Sequence, residues 1–446
     1  MPTIPQHEEE ELGLVGEAMH RFVTELYPIC RSITGNGLRK TLRLIQKEIP
    51  LTIHEVPSGT PVFDWTIPNE WNIRDAYIKD GRGRKVVDFQ RTSLHVLNYS
   101  VPVHTRISLE ELKIHLFSLP DHPEWIPYRT SYYKPSWGFC LSHKQLQELE
   151  PGEYEVVVDS TLEPGSLSYG ELYIEGESQD EILVSCHSCH PALCNDNLSG
   201  IAVSMYLAKH LLSMKRRYSY RFLFIPGAIG SIAWLAGHEP LIPRIKHGLV
   251  VACVGDPGRF TYKKSRRGNA EIDRVVEHVL KHTTEKCEIR EFSPYGYDER
   301  QYCSPAFDLA VGSLTRTPHG EFPEYHTSAD NLDFVKKESL GESLQMYKTI
   351  CDTLEANHRY LNQNPKCEPQ LGKRGLYRTM GGDSAQPLNE LAMLWVLNLS
   401  DGKHSLMDIA ERAGLYFGVV EAAAKALKSA GLLSHAPEQQ RSNLVH

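Results

Sequence analysis

Ile182-Leu183-Val184-Ser185-Cys186-His187-Ser188-Cys189-His190-Pro191, followed by Asn195-Asp196-Asn197-Leu198-Ser199-Gly200, is the stretch that organises the rest of the chain. Its first three residues are a short apolar run, which reads as a buried strand. Residues 198–212 place Ile201, Met205, Ala208 and Leu212 on one stripe, which predicts a helix. His187 then stands directly after a strand and Asp196 at the N-terminus of the next helix. In an open α/β sheet these positions line the crevice where ligands bind. Imidazole nitrogen and carboxylate oxygen placed there suit Zn²⁺ or a similar divalent ion. Read in isolation, Asp196 or Asn197 would equally serve as a helix cap and His187 as a core histidine.

Working outward, apolar runs at 221–225, 249–254 and 309–314 alternate with helical periodicity at 231–235, 270–280 and 340–354. That alternation predicts an α/β sheet covered on both faces. Upstream, Val15, Met19, Phe22, Val23 and Leu26 mark one helix face, and Leu38, Leu42 and Ile45 another. Residues 52–165 change texture, carrying four of the six Trp (Trp65, Trp71, Trp125, Trp137) with short strand-like runs at 85–89 and 154–158. A Pro-, Gly- and Gln-rich stretch at 365–387 precedes helical patterns at 388–397, 406–412 and 417–429, with a turn at Ser400-Asp401-Gly402. These suggest a winged-helix-like module. The expected organisation is N-terminal helices at 1–51 packing on the α/β domain, an inserted strand-rich domain at 52–165, the α/β domain at 166–365, and linker plus module at 366–446.

Two further strand ends bear on the metal reading. Val254-Gly255-Asp256-Pro257 places an acid after the third strand, and Glu321-Phe322-Pro323-Glu324-Tyr325-His326-Thr327-Ser328-Ala329-Asp330 places a histidine and acids after the fourth. Ligand-type side chains at several strand ends can converge on one site, whereas independent caps have no reason to. The chain's 446 residues carry 48 Lys+Arg against 56 Asp+Glu, a formal charge of −8, which argues against a general nucleic-acid binder. No apolar run approaches the roughly 20 residues of a membrane span. The acidic N-terminus lacks signal-peptide character, and ten Cys in this length give no disulfide-scaffold density, so a cytoplasmic setting is expected.

The strand-end His, the Asp-Asn-x-Ser-Gly turn into a helix, the later strand-end Asp and the His-Thr-x-x-Asp resemble the dinuclear-zinc aminopeptidase superfamily, which also contains the glutaminyl cyclases. The fold implied is a zinc-aminopeptidase-like mixed sheet flanked by helices. Over nearly its whole length the chain is similar to a bacterial group of aminopeptidase-like proteins with an inserted β domain and a C-terminal winged helix. Arg31-Ser32-Ile33-Thr34-Gly35, Trp137-Gly138-Phe139-Cys140 and Tyr297-Asp298-Glu299-Arg300-Gln301 carry that likeness. The resemblance implies one or two zinc ions: His187 and Asp256 would hold one metal, Asp196 would bridge, and His326 would hold the other.

The chain departs from the pattern where the peptidases carry two consecutive Glu, one the general base and one a ligand. Here Phe224-Ile225-Pro226 leads into Gly227-Ala228-Ile229-Gly230-Ser231. The carboxylate usual two residues after the first His is replaced by Cys189. Glu299 and Glu324 are the substitute bases favoured by position, with solvated loop charge the alternative for either. Arg266, in the basic run Lys263-Lys264-Ser265-Arg266-Arg267, and Arg31 and Arg300 are candidates for holding an anionic substrate group, with surface ion pairs the alternative. The function expected is a metal-dependent hydrolase of a small amide or peptide-like metabolite in a biosynthetic pathway. The alternative is a non-hydrolytic metabolite- or partner-binding protein on a peptidase fold. From Leu388 onward five positive charges (Lys403, Arg412, Lys425, Lys428, Arg441) face six negative ones (Glu390, Asp401, Asp408, Glu411, Glu421, Glu438), so the module reads as a packing or dimerisation element rather than a DNA binder. A stripe containing Leu391, Leu394, Trp395 and Leu397, then Leu406, Ile409 and Ala410, is expected to be exposed and to support a homo-oligomer.

Overall fold

Every residue of the strand Glu181–His187 is buried, around the apolar centre Ile182-Leu183-Val184, which places it in the middle of a sheet covered on both sides. The computed structural model describes residues 6–284, 286–376 and 387–437, with backbone only for 6–11 and 387–389. Part of the expected linker (377–386), together with Glu438 and Arg441, lies outside the described residues.

The sheet has eight strands, in the order Thr52–Pro57, Ser166–Ile174, Ser219–Ile225, Glu181–His187, Ile245–Val251, Val311–Thr315, Phe260–Lys263, Cys287–Arg290. The four central strands run parallel. Thr52–Pro57 and Ser166–Ile174 are antiparallel additions at one edge, and Phe260–Lys263 turns antiparallel against Val311–Thr315. The fold is the mixed α/β sheet with flanking helices that the sequence predicts. The parallel strands all deliver their C-terminal ends, and so His187, to one edge of the sheet.

Helices Asn36–Glu48 and Gly200–Leu212 cover the sheet and Gln6–Leu26 packs on Gly200–Leu212, with the expected faces: Met19, Val23, Leu26, Leu38, Leu42 and Ile45 are buried. Gly170 permits the closest approach. A Cβ there would stand 2.6 Å from Leu51 Cδ2 and 3.0 Å from Leu42 Cδ2, so a larger residue would displace both leucine side chains.

Between Thr52–Pro57 and Ser166–Ile174 the chain builds a four-stranded antiparallel sheet in the order Lys85–Asp88, Glu70–Lys79, Glu153–Glu163, Val103–Ser108. In Glu153–Glu163 the residues Tyr154, Val156, Val158 and Ser160 point inward and alternate with more exposed ones, the pattern of a sheet with one wet face. Its apolar side does not form a separate core. Trp71, Phe139 and Val156 belong to one buried cluster with Leu183, Leu223 and Trp234 of the central sheet region. The expected boundary at residue 52 shifts accordingly: Thr52–Pro57 pairs with Ser166–Ile174 from Thr52↔Glu171 to Pro57↔Ser166 and belongs to the central sheet.

A second unit comprises residues 274–285 and 348–446. Its three-stranded sheet has the order Asp401–Ser405, Arg359–Asn362, Leu433–His435, with helices Pro387–Leu399, Leu406–Ala413 and Phe417–Ser429. Because Arg359–Asn362 is the middle strand, the module begins ahead of the expected residue 366. The stripe expected to be exposed is largely consumed within the unit, where the three helices pack on one another: Leu397, Leu406, Ile409 and Ala410 are buried, whereas Leu391 is exposed. Helix Leu406–Ala413 opens with a capping box, Ser405 Oγ accepting from Asp408 N and Asp408 Oδ2 from Ser405 N. Ser405→Ala is expected to cost about 1 kcal/mol, read as a lower urea midpoint for this unit's transition and reversed by Ser405→Asp. No helix among the described residues is long and apolar enough to cross a membrane.

Candidate metal centre

The site begins where Glu181–His187 ends. Asn197 ties that end to its neighbours: its Nδ2 lies 3.0 Å from Val251 O and 3.2 Å from His187 O, while its Oδ1 accepts from Gly200 N and Cys253 N. Asp330 fixes the turn from the other side, its Oδ1 accepting from Asn195 N at 2.6 Å and its Oδ2 from Asp196 N at 3.0 Å. Burial pushes the Asp330 carboxyl up to about 8, and the Asp196 charge adds to this against those backbone donors.

Held this way, Asp196 has no exposed surface and presents its two oxygens to different imidazoles. Oδ1 lies 2.7 Å from His187 Nε2, and Oδ2 lies 2.9 Å from His326 Nε2. His190 completes the group: one ligand atom from each of His187, His190 and Asp196 lies within 4.8 Å of the others. Burial alone would raise the Asp196 carboxyl, but His190 and His187 and the hydrogen bonds from His187 and His326 hold it well below the usual range. Burial pushes the His190 imidazole down to about 3 against the attraction of Asp196.

Aromatic rings wall this group. Tyr297 stacks on His187 at 4.9 Å, Tyr325 stacks on His326 at 3.9 Å, and Tyr128 meets His190 and His326 edge-on at 5.2 and 5.1 Å. Tyr128 comes from the inserted segment, and its N–H donates to His326 O at 2.7 Å, while Ser328 N donates to Ile126 O. The insertion therefore forms part of the wall.

Of the metal ligands expected from sequence, the structure brings together His187, Asp196 and His326. Asp256 is not among them. Its Oδ1 accepts from Gly258 N and Thr317 Oγ1, and its Oδ2 from Asn195 Nδ2 and Thr317 N, so it orients the turn instead. Glu299 is buried and its Oε1 is ion-paired with Lys263 at 2.5 Å. Glu324 contributes its carbonyl, accepting from Thr327 N and Oγ1. Arg266 pairs with Asp308 on the surface, and Arg300 is exposed. Arg31 is fully buried, with Nε donating to His190 O at 2.8 Å, Nη1 to Leu26 O at 2.8 Å and Nη2 without a hydrogen-bond partner among the described residues. Burial lowers its guanidinium to about 10.

Two residues escaped the sequence reading. His190 was visible as the second His of His187-Ser188-Cys189-His190. Asp298 stands beside Glu299, and nothing in the pattern says which of two adjacent acids turns inward. Asp298 is 1% exposed, Ser231 Oγ donates to its Oδ1 at 2.7 Å, and its Oδ2 has no hydrogen-bond partner among the described residues. Burial raises its carboxyl to about 6, against the Ser231 hydrogen bond and His187.

Sheet order, strand-end histidines and shared carboxylate together define an aminopeptidase-like fold. At 12% identity, the zinc aminopeptidase BSAP from Bacillus subtilis superposes with a TM-score of 0.55 over 75% of this chain and 94% of that one, a likeness of fold alone. The chain itself belongs to the family described as a domain of unknown function (DUF4910), matched over residues 20–357, and residues 358–435 match a winged helix-turn-helix. It is similar to a Clostridium acetobutylicum protein named as a candidate polysaccharide biosynthesis protein with an aminopeptidase-like domain, 54% identical over 418 residues, covering 94% of this chain and 96% of that protein. It is also similar to the crystal structure of a candidate peptidase from Clostridium acetobutylicum, with 51% identity, a TM-score of 0.91, and 96% and 98% of the two chains covered. Zinc is the metal named for the aminopeptidase fold neighbour, and two or three imidazoles with one carboxylate are a donor set that zinc accepts.

Proposed function

We propose that this protein is a metal-dependent hydrolase of a small amide or peptide-like metabolite, with His187, His190, Asp196 and His326 holding zinc, as one ion or two. The observation that carries the reading is the Asp196 carboxylate, wholly buried and facing a separate histidine from each oxygen. An anion so placed is costly unless a cation or several donors compensate it. When bound, zinc would polarise the substrate carbonyl and lower the pKa of water. The protein's own contribution is positioning. Asp330 and Asn197 fix the turn, and Tyr128, Tyr297 and Tyr325 pack against the histidine rings.

The relative's name, which joins an aminopeptidase-like domain to polysaccharide biosynthesis, supports a dedicated metabolite over general proteolysis. The absent Glu pair at Gly227-Ala228 is the observation favouring the non-hydrolytic alternative. We read the winged helix as a packing or self-association element. Within it Lys425 pairs with Glu421, and from Leu388 onward the positive charges are outnumbered five to six by negative ones.

Metal content of the full-length protein, before and after zinc loading, is the deciding measurement, together with hydrolysis of an aminoacyl-amide panel. The expected result is stoichiometric zinc with turnover that depends on it, both lost in His187→Ala. Substoichiometric zinc after loading, with His187→Ala behaving as wild type, would sink the reading. Zinc binding without turnover would favour the non-hydrolytic alternative.

A further inference from the structure

The missing glutamates leave a space, and another segment of the chain fills it. A Cβ built on Gly227 would stand 3.2 Å from His187 Cβ on one side and 3.3 Å from Asp298 Oδ2 on the other. The carboxylate of Asp298 therefore borders the position from which a side chain at 227 would project beside His187. Its two oxygens are treated differently: Ser231 Oγ holds Oδ1, while Oδ2 is buried without a hydrogen-bond partner among the described residues. Orienting His187 is not its evident task, because His187 Nε2 faces Asp196 Oδ1 and Nδ1 lies 3.4 Å from Asn197 Nδ2. The preceding Tyr297 stacks on His187, which fixes this segment against the metal group. Of the other acids, Glu299 is ion-paired with Lys263 through Oε1 and borders Gly296 rather than Gly227, and Asp256 is held by Thr317 and Asn195.

We propose that Asp298 is the proton-accepting catalytic carboxylate of this site, supplied by the segment before Glu299–Tyr302 in place of the pair absent at Gly227-Ala228. The proposal rests on the hydrolase reading and specifies its base. In the step, Oδ2 accepts a proton from water as the water oxygen bonds to the amide carbonyl carbon. The C–N bond then breaks, and the same proton passes to the departing nitrogen. The products are the acid and the amine, and the carboxylate is regenerated. Ser231 keeps the other oxygen in place throughout.

The test uses zinc-loaded full-length protein and the nearly isosteric Asp298→Asn. Two readouts are taken: turnover of the aminoacyl-amide panel, and calorimetric binding of leucine hydroxamate, whose acidic O–H gives its proton to a nearby carboxylate as its oxygens chelate. Asp298→Asn is expected to lower kcat by about 10²–10⁴-fold with KM and zinc content nearly unchanged. Hydroxamate affinity should fall by at least about tenfold. Ser231→Ala, which frees Oδ1 but keeps the acid, should give a smaller kcat loss of about tenfold. In Asp298→Ala, adding Gly227→Glu returns a carboxylate to the vacated space and should recover part of the loss. Unchanged hydroxamate affinity in Asp298→Asn overturns the proposal, as does a defect confined to zinc affinity that vanishes at saturating zinc. If wild type binds hydroxamate but hydrolyses nothing, the hydrolase reading fails and the calorimetric comparison still decides whether Asp298 takes the proton. If wild type binds neither zinc nor hydroxamate, both fall.

Discussion

Asp196→Asn is expected to strip the protein of zinc while leaving its fold intact. The substitution keeps the size of the side chain but removes its charge, and it turns one of two acceptor oxygens into a donor. His187 Nε2 and His326 Nε2, at 2.7 and 2.9 Å, then face one acceptor where they had two. Removing one partner from a buried charged group costs about 3–5 kcal/mol. Since each 1.4 kcal/mol is a factor of ten, zinc affinity should fall by roughly 10²–10⁴-fold. Metal analysis after dialysis against a competing chelator measures this directly, and turnover should drop to background with it. Asp256→Asn is the matched control. Its carboxylate is engaged by Thr317, Gly258 and Asn195, so its loss should lower stability more than metal occupancy. Equal zinc retention in Asp196→Asn and wild type would refute the assignment of this carboxylate.

A second large effect is expected from Asp330→Ala. Its two oxygens accept the backbone N–H groups of Asn195 and Asp196, both buried, and removing them leaves both donors unpaired. At about 1–3 kcal/mol for each stranded donor the variant should lose roughly 2–6 kcal/mol, a large share of a typical folding free energy. The loss should exceed what side-chain truncation alone explains, because the turn that presents Asp196 is the element released. Zinc should also stabilise the variant less than wild type, where ligand at 100 times its Kd adds about 2.7 kcal/mol. Thermal unfolding with and without zinc measures both quantities. A variant with unchanged melting temperature and unchanged zinc response would show that the turn holds itself.

The sheet was legible because its central strands carry short apolar runs, such as Ile182-Leu183-Val184 and Phe222-Leu223-Phe224-Ile225. Tyr220, Phe222 and Phe224 are fully buried, and nothing but a doubly covered strand tolerates such a sequence. His187 and Asp196 were legible because strand ends and helix starts constrain where a side chain can go. Asp256 stands apart from the histidine group because residues after a strand end are free to turn, and this one turns toward Thr317. Glu299 and Asp298 are neighbours whose fates differ because Lys263, on a separate strand, captures one and leaves the other facing Gly227. Arg359–Asn362 read as the tail of the preceding domain because a four-residue strand carries too little periodicity to announce its partners, which lie some 40 and 75 residues onward.

The seam between Tyr128 and His326 bears on how such a chain could have been assembled from parts. A segment set between two edge strands looks exchangeable, since its ends lie side by side at Pro57 and Ser166. Yet its backbone supplies the hydrogen bond that seats the carbonyl of His326, and its tryptophan and valines share one apolar cluster with the central strands. Transplanting the peptidase-like portion without residues 58–165 would carry over His187, His190 and His326 and still lose the constellation. The smallest heritable unit of this constellation is thus about 340 residues, matching the 20–357 span over which the family is recognised rather than any one of the segments within it.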